Sequence, residues 1–281
     1  MLTSNFYNWE PGIFSVINVP GGPENTNTTY WYRRDAPGVN PESTYSDTDI
    51  TYQWNTHGFR SDEFVDDGRD SIMAIGDSCT IGIGCPVEHT WPGILREKFL
   101  NTKLYNLGLA AASSDYVVRA IAKTIDVLKP RAVFVQWPAF SSREIAVRRR
   151  YLPYKIILGN HDGYANTIEH LEKASYIFND NSYIKYQFDK NRTMLQEICK
   201  NRKIPLQEIT LCKDTDLESF DVYTYERDFD PRRTDNISNS LGHEFGFPRA
   251  RDRLHFGHEW NAYFADLLYA QYLNQIPAIS S

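Results

Sequence analysis

The sequence predicts an α/β fold in which a parallel sheet lies between layers of helix. Three observations predict it. Short apolar runs alternate with helix-period segments over roughly 200 residues, as repeated strand-helix-strand units do. The run Ala132 to Val135 is apolar at every position, the pattern of a strand covered on both faces. The composition, 41% apolar and 23% charged over 281 residues, is that of a globular chain and excludes disorder as the dominant state.

The elements follow in order. Residues 1–68 are rich in Asn, Thr, Ser, Pro and Gly, with strand-like segments at Thr29 to Arg33 and Asp49 to Trp54. They read as an irregular N-terminal extension. Phe14, Trp31, Tyr32, Tyr52, Trp54 and Phe59 are too much apolar surface to leave in water, so the extension is expected to pack on a main domain of residues 69–281. Within that domain Ile72 to Ile75 is a short apolar run ending in Gly76-Asp77-Ser78, and a helical segment follows near Trp91 to Leu100. Leu104 to Leu109 is a second strand candidate. Ser113 or Ser114 can cap a helix whose apolar face is Val117, Ile121, Ile125 and Leu128, and Pro130 ends it. Ala132 to Trp137 is the third strand. Residues 138–165 read as loop-rich, with a basic cluster at Arg148 to Arg150, and a mostly helical region runs to about Arg202. Ile204 to Leu211 reads as a fourth strand, with Pro205 at its start where a missing N–H is tolerated. Lys213 to Arg251 reads as a long surface loop. After Gly257, Trp260, Phe264, Leu267, Leu268 and Tyr272 recur along one helical face.

Charge and cysteine usage exclude several function classes. The net charge of −6 provides no global basic field for nucleic acid or anionic lipid. No stretch approaches the roughly 18 consecutive apolar residues that a membrane helix needs, so no membrane span is expected. The N-terminus lacks the charged and apolar regions of a signal peptide, although a mature or virion-borne protein would look the same. The four cysteines, Cys79, Cys85, Cys199 and Cys212, form no C-x-x-C pair, so neither a disulfide framework nor a zinc site is expected.

Gly76-Asp77-Ser78-Cys79-Thr80 stands where an open parallel sheet places its ligands, between the carboxyl end of a strand and the start of a helix. A serine there exposes its hydroxyl at the sheet edge, and its own N–H lies where positive partial charge stabilises an oxyanion. The same serine can instead serve only as a helix cap. A nucleophilic serine demands a base, preferably one held by a carboxylate. Of seven histidines, His255 stands out because Asp252 precedes it by three residues, close enough for the carboxylate to fix the imidazole tautomer. Taken alone, an Asp-x-x-His is also what a solvated loop carries.

Together these residues resemble the SGNH (GDSL-type) hydrolase family. Ile75-Gly76-Asp77-Ser78, with Thr80 and Gly82, matches its first block. Asp252 and His255, with Phe256-Gly257 behind them, match its last. Asn106-Leu107-Gly108-Leu109-Ala110-Ala111-Ala112-Ser113 follows the second block, Asn-x-Gly-x-x-Gly-x-Ser, except that Ala111 replaces the second glycine. The resemblance spans about Ser71 to Leu273 with the blocks in order. It implies a flavodoxin-like three-layer α/β/α sheet and a serine esterase working through an acyl-enzyme without metal or organic cofactor. By it, Ser78 is the nucleophile, His255 the base and later acid, and Asp252 the orienting carboxylate. The N–H groups of Ser78 and Ala111 would form the oxyanion hole.

The third block departs from the family pattern. Where members carry Gly-x-Asn-Asp, this chain has Gln136-Trp137-Pro138-Ala139-Phe140-Ser141-Ser142-Arg143, without the asparagine donor. Losing such a donor costs about 2.7 to 4 kcal/mol of transition-state stabilisation unless Gln136, Ser141 or Ser142 replaces it. Arg251 and Arg253, with Arg249, flank Asp252 and are expected at the mouth of the site, where they would favour an anionic substrate. A solvated basic loop is the other reading. The expected substrate is a small-molecule or carbohydrate ester, an O-acetyl group on a sugar among them. A non-catalytic carbohydrate-binding or virion structural module on the same fold is the alternative. Gly159-Asn160-His161-Asp162 is similar to a block of binuclear metallophosphoesterases, but the upstream ligands of that class are missing, so it reads as a turn.

Overall fold

A computed structural model describes residues 27–28, 35–55, 57–110, 112–138, 142–147, 150–155, 181–210, 223–224 and 247–279. The first described elements are a short antiparallel pair, β1 (Asn27–Thr28) and β2 (Tyr52–Gln53). It then runs through β3 (Ser71–Ile75), α1 (Ser78–Ile81), a 3-10 turn at Val87–His89, α2 (Trp91–Glu97), β4 (Lys103–Asn106), α3 (Ser114–Leu128) and β5 (Ala132–Trp137). A hairpin of β6 (Ser142–Val147) and β7 (Arg150–Lys155) follows. After it come α4 (Asn181–Asn201), β8 (Leu206–Thr210), β9 (Tyr223–Thr224) and α5 (His258–Ile279).

Five strands form a parallel sheet in the order β4-β3-β5-β8-β9. Counted within the sheet this is the flavodoxin-like order 2-1-3-4-5. It puts a topological switch point at the carboxyl ends of β3 and β5, where such sheets open a crevice. Strand alternation then assigns the layers. Ile72 and Ala74 of β3 pack with Trp91 and Leu95 of α2 and Trp260 and Phe264 of α5. Met73 and Ile75 point the other way, toward Val117 and Ile121 of α3 and Phe188 and Leu195 of α4. Each fully buried Ile, Leu, Met, Val or Phe among them stabilises the fold by about 1.5–3 kcal/mol. The predicted three-layer α/β/α architecture is therefore the observed one.

Local signals account for most boundaries. Ser113 caps α3 by accepting the Tyr116 N–H at 3.2 Å, and Lys129, in a left-handed conformation just before Pro130, ends it. Pro205 stands immediately before β8, and its carbonyl accepts the Val133 N–H at 2.9 Å. Three expectations are corrected. The second strand is shorter than 104–109, because Leu107 and Leu109 turn to donate their N–H groups to Ala74 O and Gly76 O at the end of β3. The stretch read as loop-rich after Pro138 contains the β6–β7 hairpin, paired from Ser142 with Lys155 to Val147 with Arg150. The long loop after Lys213 contributes a fifth strand, β9, beside β8; the rest of 211–246 lies outside the described residues, as do Thr29 to Arg33 and Gly159 to Asp162.

Residues 35–66 contribute a third apolar cluster in which Tyr45, Ile50, Tyr52 and Trp54 pack with Ile81, Ile83 and Ala250. Asn55 to Phe59 close a turn, with Asn55 N–H donating to Phe59 O and Gly58 N–H to Asn55 O. Cys79, Cys85 and Cys199 are buried. No helix among the described residues is long and apolar enough to cross a membrane.

Candidate active site

Strand β3 ends at Ile75, and the next residues turn sharply into α1. A Cβ at Gly76 would stand 2.2 Å from Thr80 Oγ1 and 2.6 Å from Gln136 O, so only glycine lets the turn pass this close to β5. Asp77, in an extended conformation, is the N-cap: its Oδ1 accepts the Cys79 N–H at 2.9 Å. Capping is thus done by Asp77, and Ser78 is the first helical residue with its hydroxyl released from that task. Its N–H belongs to the first-turn donors that a helix leaves without an intrahelical acceptor.

His255 meets that hydroxyl. Its Nε2 lies 2.7 Å from Ser78 Oγ, across 177 positions of sequence. Its Nδ1 bonds Asp252 Oδ2. Arg253 adopts a left-handed φ of 62°, turning the chain so that Asp252 Oδ1 accepts the N–H groups of Leu254 at 3.0 Å and His255 at 2.9 Å. Asp252 is 5% exposed. Burial alone would raise its carboxyl, but the charge of His255 and the hydrogen bonds from the His255 ring and the two backbone N–H groups outweigh it. The carboxyl is held below the usual carboxylate range. An ionised Asp252 accepts a hydrogen bond from Nδ1–H, which leaves Nε2 as the lone-pair nitrogen facing Ser78 Oγ–H.

Beneath this group the strand ends are tied together. Asn106 Nδ2 donates to Thr80 O at 2.9 Å, and Asn106 Oδ1 accepts the Gly108 N–H at 2.8 Å. Thr80 Oγ1 donates to Gln136 Oε1 at 2.8 Å, while Gln136 Nε2 donates to Trp137 O at 3.1 Å. Gln136 thus bonds within the floor of the site through both its amide oxygen and its amide nitrogen. Ser142 is buried in β6, and Ser141 lies outside the described residues. Ala111, assigned to the oxyanion hole by the resemblance, also lies outside them.

The two arginines part company. Arg253 is exposed beside the site. Arg251 is not at the mouth as expected: it is 0% exposed, and its Nε donates to Asp35 Oδ1 at 3.1 Å. Asp35, Asn40, Tyr52 and Arg60, which bond the loops of the site from the N-terminal segment, carried no site signal in the sequence. Only the Asp77 cap had a visible signal, a short acidic side chain ahead of a helix. Two surface hollows, about 600 and 580 Å³, lie elsewhere, one near Cys199 and Pro205 and one near Trp54 and Glu88. Among the described residues no group of three or more His, Cys, Asp or Glu side chains is arranged to hold a metal ion.

The chain is similar to solved GDSL and SGNH hydrolases. One is a carbohydrate acetylesterase family member from Sinorhizobium meliloti, at 11% identity over 74% of this chain and 98% of that one, with a TM-score of 0.37. A second is the psychrotrophic esterase EstA from Pseudoalteromonas sp., at 14% identity over 74% and 99%, TM-score 0.34. A third is a member of the lipolytic G-D-S-L family from Veillonella parvula, at 14% identity over 71% and 98%, TM-score 0.34. No family model and no curated protein matches the chain.

Proposed function

We propose that this chain is a serine esterase of the SGNH type, with Ser78 as nucleophile, His255 as general base and then acid, and Asp252 as the carboxylate that orients and stabilises the imidazole. One observation carries the reading: Ser78 Oγ, the His255 ring and Asp252 form an unbroken hydrogen-bonded relay built from opposite ends of the domain.

The relay defines the steps. His255 Nε2 takes the Ser78 hydroxyl proton as Oγ attacks the ester carbonyl carbon. The carbonyl electron pair moves to oxygen, which accepts the Ser78 N–H and, by the family resemblance, that of Ala111. Collapse expels the alcohol, which leaves with the proton from Nε2, and Ser78 holds the acyl group. Water then gives a proton to Nε2 and attacks the acyl carbon, and Oγ departs with that proton. Asp252 stays ionised throughout and stabilises the imidazolium. Arg253, exposed two residues before His255, is the proposed contact for an anionic part of the substrate. The finer reading, an O-acetyl ester on a carbohydrate, rests on the sequence blocks.

Steady-state hydrolysis of p-nitrophenyl acetate and of acetylated sugars by the full chain tests the proposal. Ser78→Ala is expected to abolish turnover, and Asp252→Asn to lower kcat by about 10⁴-fold through the wrong imidazole tautomer. Turnover that survives Ser78→Ala contradicts the assignment. The commitment of Gln136 to Trp137 O favours a second reading, a carbohydrate-binding or structural module that keeps the relay without efficient chemistry. Sugar binding by calorimetry without ester turnover would select it.

A further inference from the structure

The relay joins two loops that the chain supplies 177 positions apart, and something must hold them in register. We infer that a buried polar bridge from the N-terminal segment, Asp35 and Tyr52 acting with Arg251 and Arg60, positions the Asp252–His255 turn against the loop that follows Ser78. This rests on the esterase reading above.

The bridge is continuous. Arg251, next to Asp252, sends Nε to Asp35 Oδ1 at 3.1 Å and Nη1 to Thr48 O at 2.6 Å. Asp35 Oδ2 accepts the Tyr52 hydroxyl at 2.5 Å, and the Tyr52 oxygen accepts the Gly84 N–H at 2.7 Å. Arg60 lies over the Tyr52 ring, 4.3 Å from its centroid, and donates to Gly82 O at 2.8 Å, Cys85 O at 3.0 Å and Ile81 O at 3.2 Å. It thereby fixes the end of the helix that Ser78 begins. Asn40 Nδ2 completes the join by donating to Ala250 O at 2.9 Å.

Where the loops touch there is no slack. Gly84 has φ +81°, and a Cβ there would stand 2.7 Å from Ala250 Cβ and 2.9 Å from Arg251 N. A buried guanidinium–carboxylate pair adds little net stability over an apolar replacement, because desolvation offsets the attraction. Its directional bonds do fix orientation, and here the two oriented parts are the two halves of the relay. Asp35, Tyr52 and Arg251 are positioning residues, acting through Asp252 and His255.

The test uses the full chain with the double variant Asp35→Asn/Arg251→Gln, which removes both charges of the Asp35–Arg251 pair together, and with Tyr52→Phe, which removes one hydroxyl. Two readouts are taken on folded protein: kcat and KM for p-nitrophenyl acetate, and the far-downfield NMR signal of the His255 Nδ1 proton shared with Asp252. Positioning predicts that kcat falls about tenfold to a hundredfold with KM little changed, and that the proton signal weakens or shifts. A folded double variant with wild-type kcat and signal overturns the inference. If the double variant does not fold, Tyr52→Phe decides by the same criteria. Should the wild type turn over no ester while its proton signal still depends on the bridge, the esterase reading fails and the positioning role stands.

Discussion

A serine becomes a nucleophile only when another group accepts its proton, so the residue-scale question is what sets the state of His255. Asp252 answers it. Its carboxyl is held below the ordinary range in the folded chain, so the unfolded state takes up the proton first as pH falls. The stabilisation is present above the unfolded value of about 3.9 and is lost as pH falls through the lower folded value. Acid unfolding followed by circular dichroism should therefore show a steeper loss of stability below about pH 4 in the wild type than in Asp252→Asn. Equal slopes would contradict the assignment. Burial pushes the Cys85 and Cys199 thiols up to about 12, so neither should be alkylated by iodoacetamide in native protein at pH 8, as read by peptide mapping. Ser78, Asp252 and His255 were legible in the sequence because short motifs carry them. Arg251 was misread because adjacency to Asp252 does not reveal which way a side chain points. The bridge had no local signal, since Asp35 and Arg251 lie 216 positions apart.

At the scale of elements, caps and close approaches decide where chains stop and how loops meet. Replacing Ser113 by Ala removes the acceptor for the Tyr116 N–H and is expected to cost about 1 kcal/mol in a urea titration, with ester turnover unchanged. Gly84→Ala should be worse on both counts, because it strains a left-handed backbone and pushes Ala250 and Arg251 away from the loop after Ser78. Turnover equal to wild type in that variant would show that the two loops need not touch. The central elements were readable because β5 begins with an unbroken apolar run, Ala132 to Val135, and α3 carries both a cap and a helical face. The β6–β7 hairpin was not, since Arg143, Glu144 and Arg148 to Arg150 give it the polarity of a loop. Strand β9, two residues long, is set by pairing with β8 rather than by any pattern of its own.

On the scale of the whole molecule, the parallel sheet places the first and last sequence blocks on one rim, and residues 35–66 close over the loops that join them. The parallel sheet between helix layers followed from the alternation of strands and helices, and its flavodoxin-like order from the family resemblance. The packing of the N-terminal residues was foreseen only as a need to bury aromatics. If Tyr45, Tyr52 and Trp54 are integral to the core around Ile81 and Ala250, amide exchange at Tyr52 to Phe59 should slow to the range of β3. Exchange there at the rate of an exposed loop would contradict that packing.

The most direct test of the relay is covalent. The full chain is treated with a fluorophosphonate and digested, and the adduct is located by mass spectrometry. The account predicts one adduct, on the Ser78 hydroxyl, absent from Ser78→Ala and slowed in His255→Ala. Labelling at another residue, or labelling that survives Ser78→Ala, would contradict it.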